Sequence, residues 1–145
     1  MPDAVRHLIG AVAGGTALPL VYYLTEAGAK ALREAYALLV PDLAGLGYLA
    51  AVVLVTGLLA CWPWLSPLAA LVCGLPLAAL GAAFASSPDV AFLVIGLLPP
   101  IEPLTGTDEA PGLLAGVTGL YLVVGAILVV SAAFPGRWRA RELPL

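Results

Sequence analysis

Four uninterrupted apolar runs occupy most of this 145-residue chain, at about residues 8–25, 43–62, 67–85 and 113–134, and no Asp, Glu, Lys or Arg lies inside any of them. A helix rises about 1.5 Å per residue, so runs of this length reach about 27–33 Å. That matches a bilayer hydrocarbon core of about 30 Å. A charged side chain in that core costs several kcal/mol, so charge-free runs are what a lipid-facing helix requires. Apolar residues make up 62% of the chain and charged residues 10%, against about half and a quarter in a soluble domain. A soluble fold would have to bury more apolar surface than a chain of this length can enclose. The expected class is therefore all-α: one integral membrane domain over residues 1–145, built as a four-helix transmembrane bundle.

The ends of the runs carry matching signals. The first run ends near Tyr22 and Tyr23, aromatic residues of the kind that settle at a lipid–water interface, and Pro19 lies within it. The second follows Pro41 and Asp42, a suitable N-cap, and ends at Trp62, with Trp64 two residues on. Ser66-Pro67 supplies an N-cap and a first-turn proline for the third run, which Pro76 is expected to kink. Thr107, Asp108 and Glu109 precede the fourth run and suit a helix start. Pro135-Gly136 ends it.

Two connecting segments are shorter or more polar. In 26–40, Glu26, Lys30, Arg33 and Glu34 recur at helical spacing, with Glu26–Lys30 and Lys30–Glu34 as i,i+4 pairs. This predicts a short amphipathic helix after span one, or an extension of that span. Arg6, the apolar run and Ala27-Gly28-Ala29 also fit a signal peptide with a cleavage site. The segment 90–98 is too short to cross as a helix and lies between Ser87-Pro88-Asp89 and Pro99-Pro100. It predicts a half-helix between spans three and four, either re-entrant or lying at the interface.

Four spans place both termini on one side. Arg6, Arg137, Arg139 and Arg141 flank the terminal spans, and the loop before span four has no basic residue. The positive-inside rule then puts both termini in the cytoplasm of a plasma-membrane, multi-pass protein. Arg137, Trp138 and Arg139 form an expected interfacial anchor, together with Tyr22, Tyr23, Trp62 and Trp64.

Small residues supply candidate helix-packing or interface positions: Gly10 and Gly14, Gly74 and Gly81, and Gly112, Gly116 and Gly119. At such positions two helix backbones can approach closely. The chemical inventory is thin. Cys61 and Cys73 form no C-x-x-C, and His7 is the lone histidine. Asp89, Glu102, Asp108 and Glu109 have no calcium-loop spacing, and no phosphate loop or hydrolase motif occurs. The expectation is no catalytic residue, no cofactor and no metal.

The layout resembles that of small four-span membrane proteins of high-GC actinobacteria. Trp62-Pro63-Trp64-Leu65-Ser66-Pro67-Leu68 and Pro135-Gly136-Arg137-Trp138-Arg139 carry the resemblance. It implies a plasma-membrane location and no particular activity. Small multidrug transporters use a first-span glutamate, whereas Glu26 is read here as lying past the end of span one. Small fluoride channels use membrane asparagines, and this chain has none. Tetraspanins and claudins carry outer-loop cysteine motifs that are missing here.

The functional expectation is a non-catalytic accessory or scaffold subunit of a membrane assembly. The alternative is a transport or channel component formed by oligomerisation. The expected partners are the lipid bilayer and other membrane proteins or further copies of the chain. No polybasic run is long enough to point to nucleic acid.

Overall fold

The structure is a computed structural model and describes residues 3–62, 65–105 and 110–134. Among these residues every regular element is helical: α1 Asp3–Leu38, α2 Leu43–Cys61, α3 Pro67–Ser86, α4 Pro88–Gly96, α5 Glu102–Thr105, α6 Leu113–Val117 and α7 Leu120–Ala133. Three helices, α1, α2 and α3, are long and apolar enough to cross a membrane. The 14-residue α7 is apolar but shorter.

Short-range chemistry sets the ends of α2 and α3. The Asp42 carboxylate accepts the Ala44 and Gly45 N–H groups at 2.9 and 3.1 Å, satisfying two first-turn donors of α2. The Ser66 hydroxyl accepts the Leu68 N–H at 3.3 Å, and Pro67 opens α3 where no N–H is needed. Pro19 and Pro76 lie inside α1 and α3, and both helices run through them. The predicted half-helix falls at α4, with Ala91 and Ile95 buried and Val90, Phe92 and Leu93 exposed.

Two expectations are corrected. Of the two readings of 26–40, the separate amphipathic helix is corrected and the extension of span one is what forms: α1 continues as one 36-residue helix to Leu38. From Glu26 to Ala37 the chain contains no proline, and its Ala, Leu, Lys, Arg and Glu residues are strong helix formers. Nothing between Thr25 and Glu26 stops the helix. It ends where Leu39 turns left-handed (φ 54°), two residues before Pro41. The second correction concerns the run 113–134. It is broken rather than continuous, because Gly119 takes φ 77° between α6 and α7. The Thr118 N–H closes α6 on Leu114 O and the Gly119 N–H bonds Gly116 O, both at 3.0 Å. This is the left-handed ending that glycine permits at least cost.

α3 sits between α1 and α7. Gly10 and Gly14 of α1 lie against Ser66 and Ala69 of α3, so these two helices run in parallel. On the other side of α3, Gly74 faces Leu128, Gly125 faces Ala78, and Gly81 faces Leu122. As the residue number rises on α3 it falls on α7, so this pair is antiparallel. α2 runs antiparallel to α1, with Gly28 against Leu49 and Gly45 against Ala31 and Leu32. Small side chains dominate the seams, with Ala69, Ala70, Cys73 and Leu77 of α3 fully buried. Lipid is as apolar as leucine, so association in a membrane depends on such close packing and on hydrogen bonds rather than on hydrophobic transfer.

Candidate functional site

The second half of α1 carries Tyr22, Glu26 and Lys30 one turn apart, which places them on one face of the helix. That face is turned into the fold. Glu26 is 0% exposed and Lys30 9%. From sequence, Tyr22 stands near the end of span one and Glu26 and Lys30 past it, on an interfacial helix or an extension of the span; the extension is what forms, and its Glu26 face is buried rather than interfacial. Glu26 lies within α1 and inside the bundle. Arg33 and Glu34, a turn further on, are exposed.

A buried carboxylate is costly unless its oxygens are bound. Here each oxygen accepts a main-chain N–H from α6: Oε2 from Ala115 at 2.8 Å and Oε1 from Leu114 at 3.2 Å. The Lys30 ammonium lies 3.6 Å from Oε1. The N-cap residue of α6 is Gly112, which has no side chain to cap with. Glu26, 88 and 89 positions earlier in the chain, performs that task from another helix. Its negative charge is placed where the first N–H groups of a helix favour an anion.

Three tyrosines complete the cluster. The Tyr22 hydroxyl donates to Pro111 O at 2.5 Å, and the Tyr121 hydroxyl of α7 donates to Tyr22 O at 3.1 Å. The Tyr22 and Tyr121 rings stack, with centroids 5.0 Å apart and planes 11° from parallel. Tyr23 meets Tyr22 edge-on and donates to Pro99 O at 2.6 Å. Gly112 is left-handed (φ 88°), and any Cβ there would collide with the Tyr22 hydroxyl. The cluster thus fastens α1 to the chain around Pro99, to the Pro111–Gly112 turn, to α6 and to α7.

A second polar contact lies at the other end of α1. His7 Nδ1 and Ser66 Oγ share a hydrogen bond of 2.6 Å. Ser66 is fully buried and also caps α3, so it ties the start of α1 to the start of α3. Cys61 is exposed and Cys73 buried, and both are free thiols. Among the described residues no group of three or more His, Cys, Asp or Glu gathers.

The other positions singled out from sequence fall as follows. Gly10, Gly14, Gly74 and Gly81 lie at helix contacts within the chain, and Gly116 lies under the Phe84 ring. Gly119 faces open space. Tyr22 and Tyr23, read as interfacial anchors, are buried with their hydroxyls on main-chain carbonyls. Trp62 is half exposed. Trp64, Arg137, Trp138 and Arg139 lie outside the described residues, as does the Thr107–Glu109 helix start. Sequence reasoning missed the roles of Glu26 and Tyr121. The available signal was the unbroken helical spacing of Tyr22, Glu26 and Lys30 across the supposed end of span one.

Comparisons with family models, with curated proteins and with solved structures find no match.

Proposed function

We propose that this chain is a non-catalytic accessory or scaffold subunit of a membrane assembly. In this reading it is a plasma-membrane protein with four crossings, α1, α2, α3 and the α6–α7 pair, and with both termini in the cytoplasm. One observation carries the reading. The buried Glu26 carboxylate and the Tyr22, Tyr23 and Tyr121 hydroxyls are all bound to main-chain groups of other segments. Catalytic and transport sites need polar groups that meet a substrate, whereas these hold irregular backbone in place. Irregular backbone inside a bilayer must be satisfied by protein. The cluster answers that need for the turn before α6.

α2 then supplies a face for lipid or for a partner. Leu43, Leu46, Val53, Leu54 and Leu58 point away from the rest of the chain. The test is purification of the tagged protein from its own membrane in mild detergent, with mass spectrometry of whatever accompanies it. A stoichiometric partner, lost when Val53 and Leu54 are replaced by bulkier or polar residues, is the expected result. A chain that runs alone and passes solutes across liposomes would overturn the proposal in favour of a transport component.

A further inference from the structure

We propose that α6 is a lid, hinged at Gly112 and Gly119 and latched shut by the charge on Glu26. The hinges come first. Among the described residues only two glycines take positive φ, Gly112 (88°) and Gly119 (77°), and they stand at the two ends of α6. A glycine can leave the left-handed region for an ordinary conformation without the steric barrier a Cβ imposes. The six residues between them, the five of α6 and Thr118, can therefore swing as one short unit. Gly119 meets nothing within 4 Å on the side where a Cβ would stand, so its surroundings leave room for the change.

The seat of α6 is small. It fully buries only Ala115 and Gly116, the latter under the Phe84 ring; Leu113 and Leu114 are half-buried, Val117 is 67% exposed and Thr118 is also exposed. Its fully buried residues are small and its two leucines only half-covered, so the apolar area that holds it down is modest. Polar bonds from two adjacent turns of α1 add to it: Glu26 on the Leu114 and Ala115 N–H groups, and the Tyr22 hydroxyl on Pro111 O. Both Glu26 bonds need an acceptor. Glutamine keeps the shape but removes the charge and offers an amide N–H₂ where one of two N–H donors points, so one of the two bonds cannot form. Opening would uncover Glu26 beside the stacked Tyr22 and Tyr121 rings, a carboxylate next to two aromatic faces, in the space α6 vacates.

The experiment measures the position of α6 directly. In a Cys61→Ala, Cys73→Ala background, cysteines replacing Val117 on α6 and Val53 on α2, both exposed, carry spin labels for pulsed dipolar distances in lipid nanodiscs. A second pair at Val53 and Leu75, exposed on α2 and α3, reports on the bundle without α6. The parent is expected to give one distance for the first pair, with any open form below about 10%. Glu26→Gln is expected to add a second, resolved distance for that pair and leave the control pair unchanged. Gly119→Ala, which penalises the closed left-handed backbone and leaves Glu26 intact, is expected to populate the same second distance. A single unshifted distance in either folded variant overturns the lid. So does a broadening of both pairs together, because that is general loosening of the bundle. If Glu26→Gln yields no folded protein, Gly119→Ala decides alone.

Discussion

At the scale of single residues, the consequential side chain is Glu26. Its carboxylate neutralises Lys30 and satisfies two N–H groups with no other cap. Removing the acid of a buried pair, here together with the acceptor of two N–H groups, costs about 3–5 kcal/mol. Glu26→Ala should therefore lower thermal stability in detergent severely. Lys30→Met should cost less, since the carboxylate keeps its two N–H donors. Equal losses from the two changes would show that the ion pair, rather than the capping of α6, holds the cluster. Leu39 allows a prediction of opposite sign. It is 85% exposed and sits at φ 54°, a conformation that strains any residue with a Cβ. Leu39→Gly should gain about 1 kcal/mol by relieving that strain. A lower melting temperature would mean that its side chain has contacts elsewhere that matter more.

At the scale of elements, the same residue type acts in opposite ways on different helix faces. Gly81 and Gly125 lie where α3 and α7 backbones touch, and a methyl group at either would run into main-chain atoms of the partner helix. Gly81→Ala and Gly125→Ala should each cost about 1–3 kcal/mol by forcing the pair apart. Gly47 and Gly57 of α2 have nothing within 4 Å of where a Cβ would stand. Alanine there should stabilise by up to about 1 kcal/mol through helix propensity alone. Melting curves of the four variants test the contrast, and a loss at Gly47 or Gly57 would reveal a partner helix on α2. The sequence pattern Gly-x-x-x-Gly identifies small residues capable of close approach. It does not say which helix approaches them, because that depends on the tertiary arrangement. The bounds of α2 and α3 were legible for the opposite reason. Asp42 and Ser66-Pro67 act on N–H groups two or three residues away, so the information is local. Glu26 was misplaced because its partners lie 88 and 89 residues along the chain. No spacing rule connects a carboxylate to so distant a helix start.

At the scale of the whole molecule, the question left by the broken run is how many times the chain crosses. Three helices meet the length and hydropathy of a span by themselves. An odd number of crossings would separate the termini across the membrane, and an even number would keep them together. α6 and α7 are each too short, yet they follow one another with a single bend between them, and their combined rise is about 30 Å. α7 also lies antiparallel along the middle of α3, from Gly74 facing Leu128 to Gly81 facing Leu122. A helix so deeply registered on a candidate span shares that span's depth, so the pair supplies the fourth crossing that we propose. The bend is compatible with lipid because the Thr118 and Gly119 N–H groups bond Leu114 O and Gly116 O, and Glu26 and Tyr22 satisfy the turn before α6. Reporter fusions that are active on only one side of the membrane, placed in turn at each end of the chain, should therefore report the same side. In the orientation we propose, from the arginines around the terminal spans, that side is the cytoplasm. Reporters on opposite faces would remove α6–α7 from the membrane. They would then leave Glu26 as the anchor of a surface-bound segment rather than the support of a broken crossing.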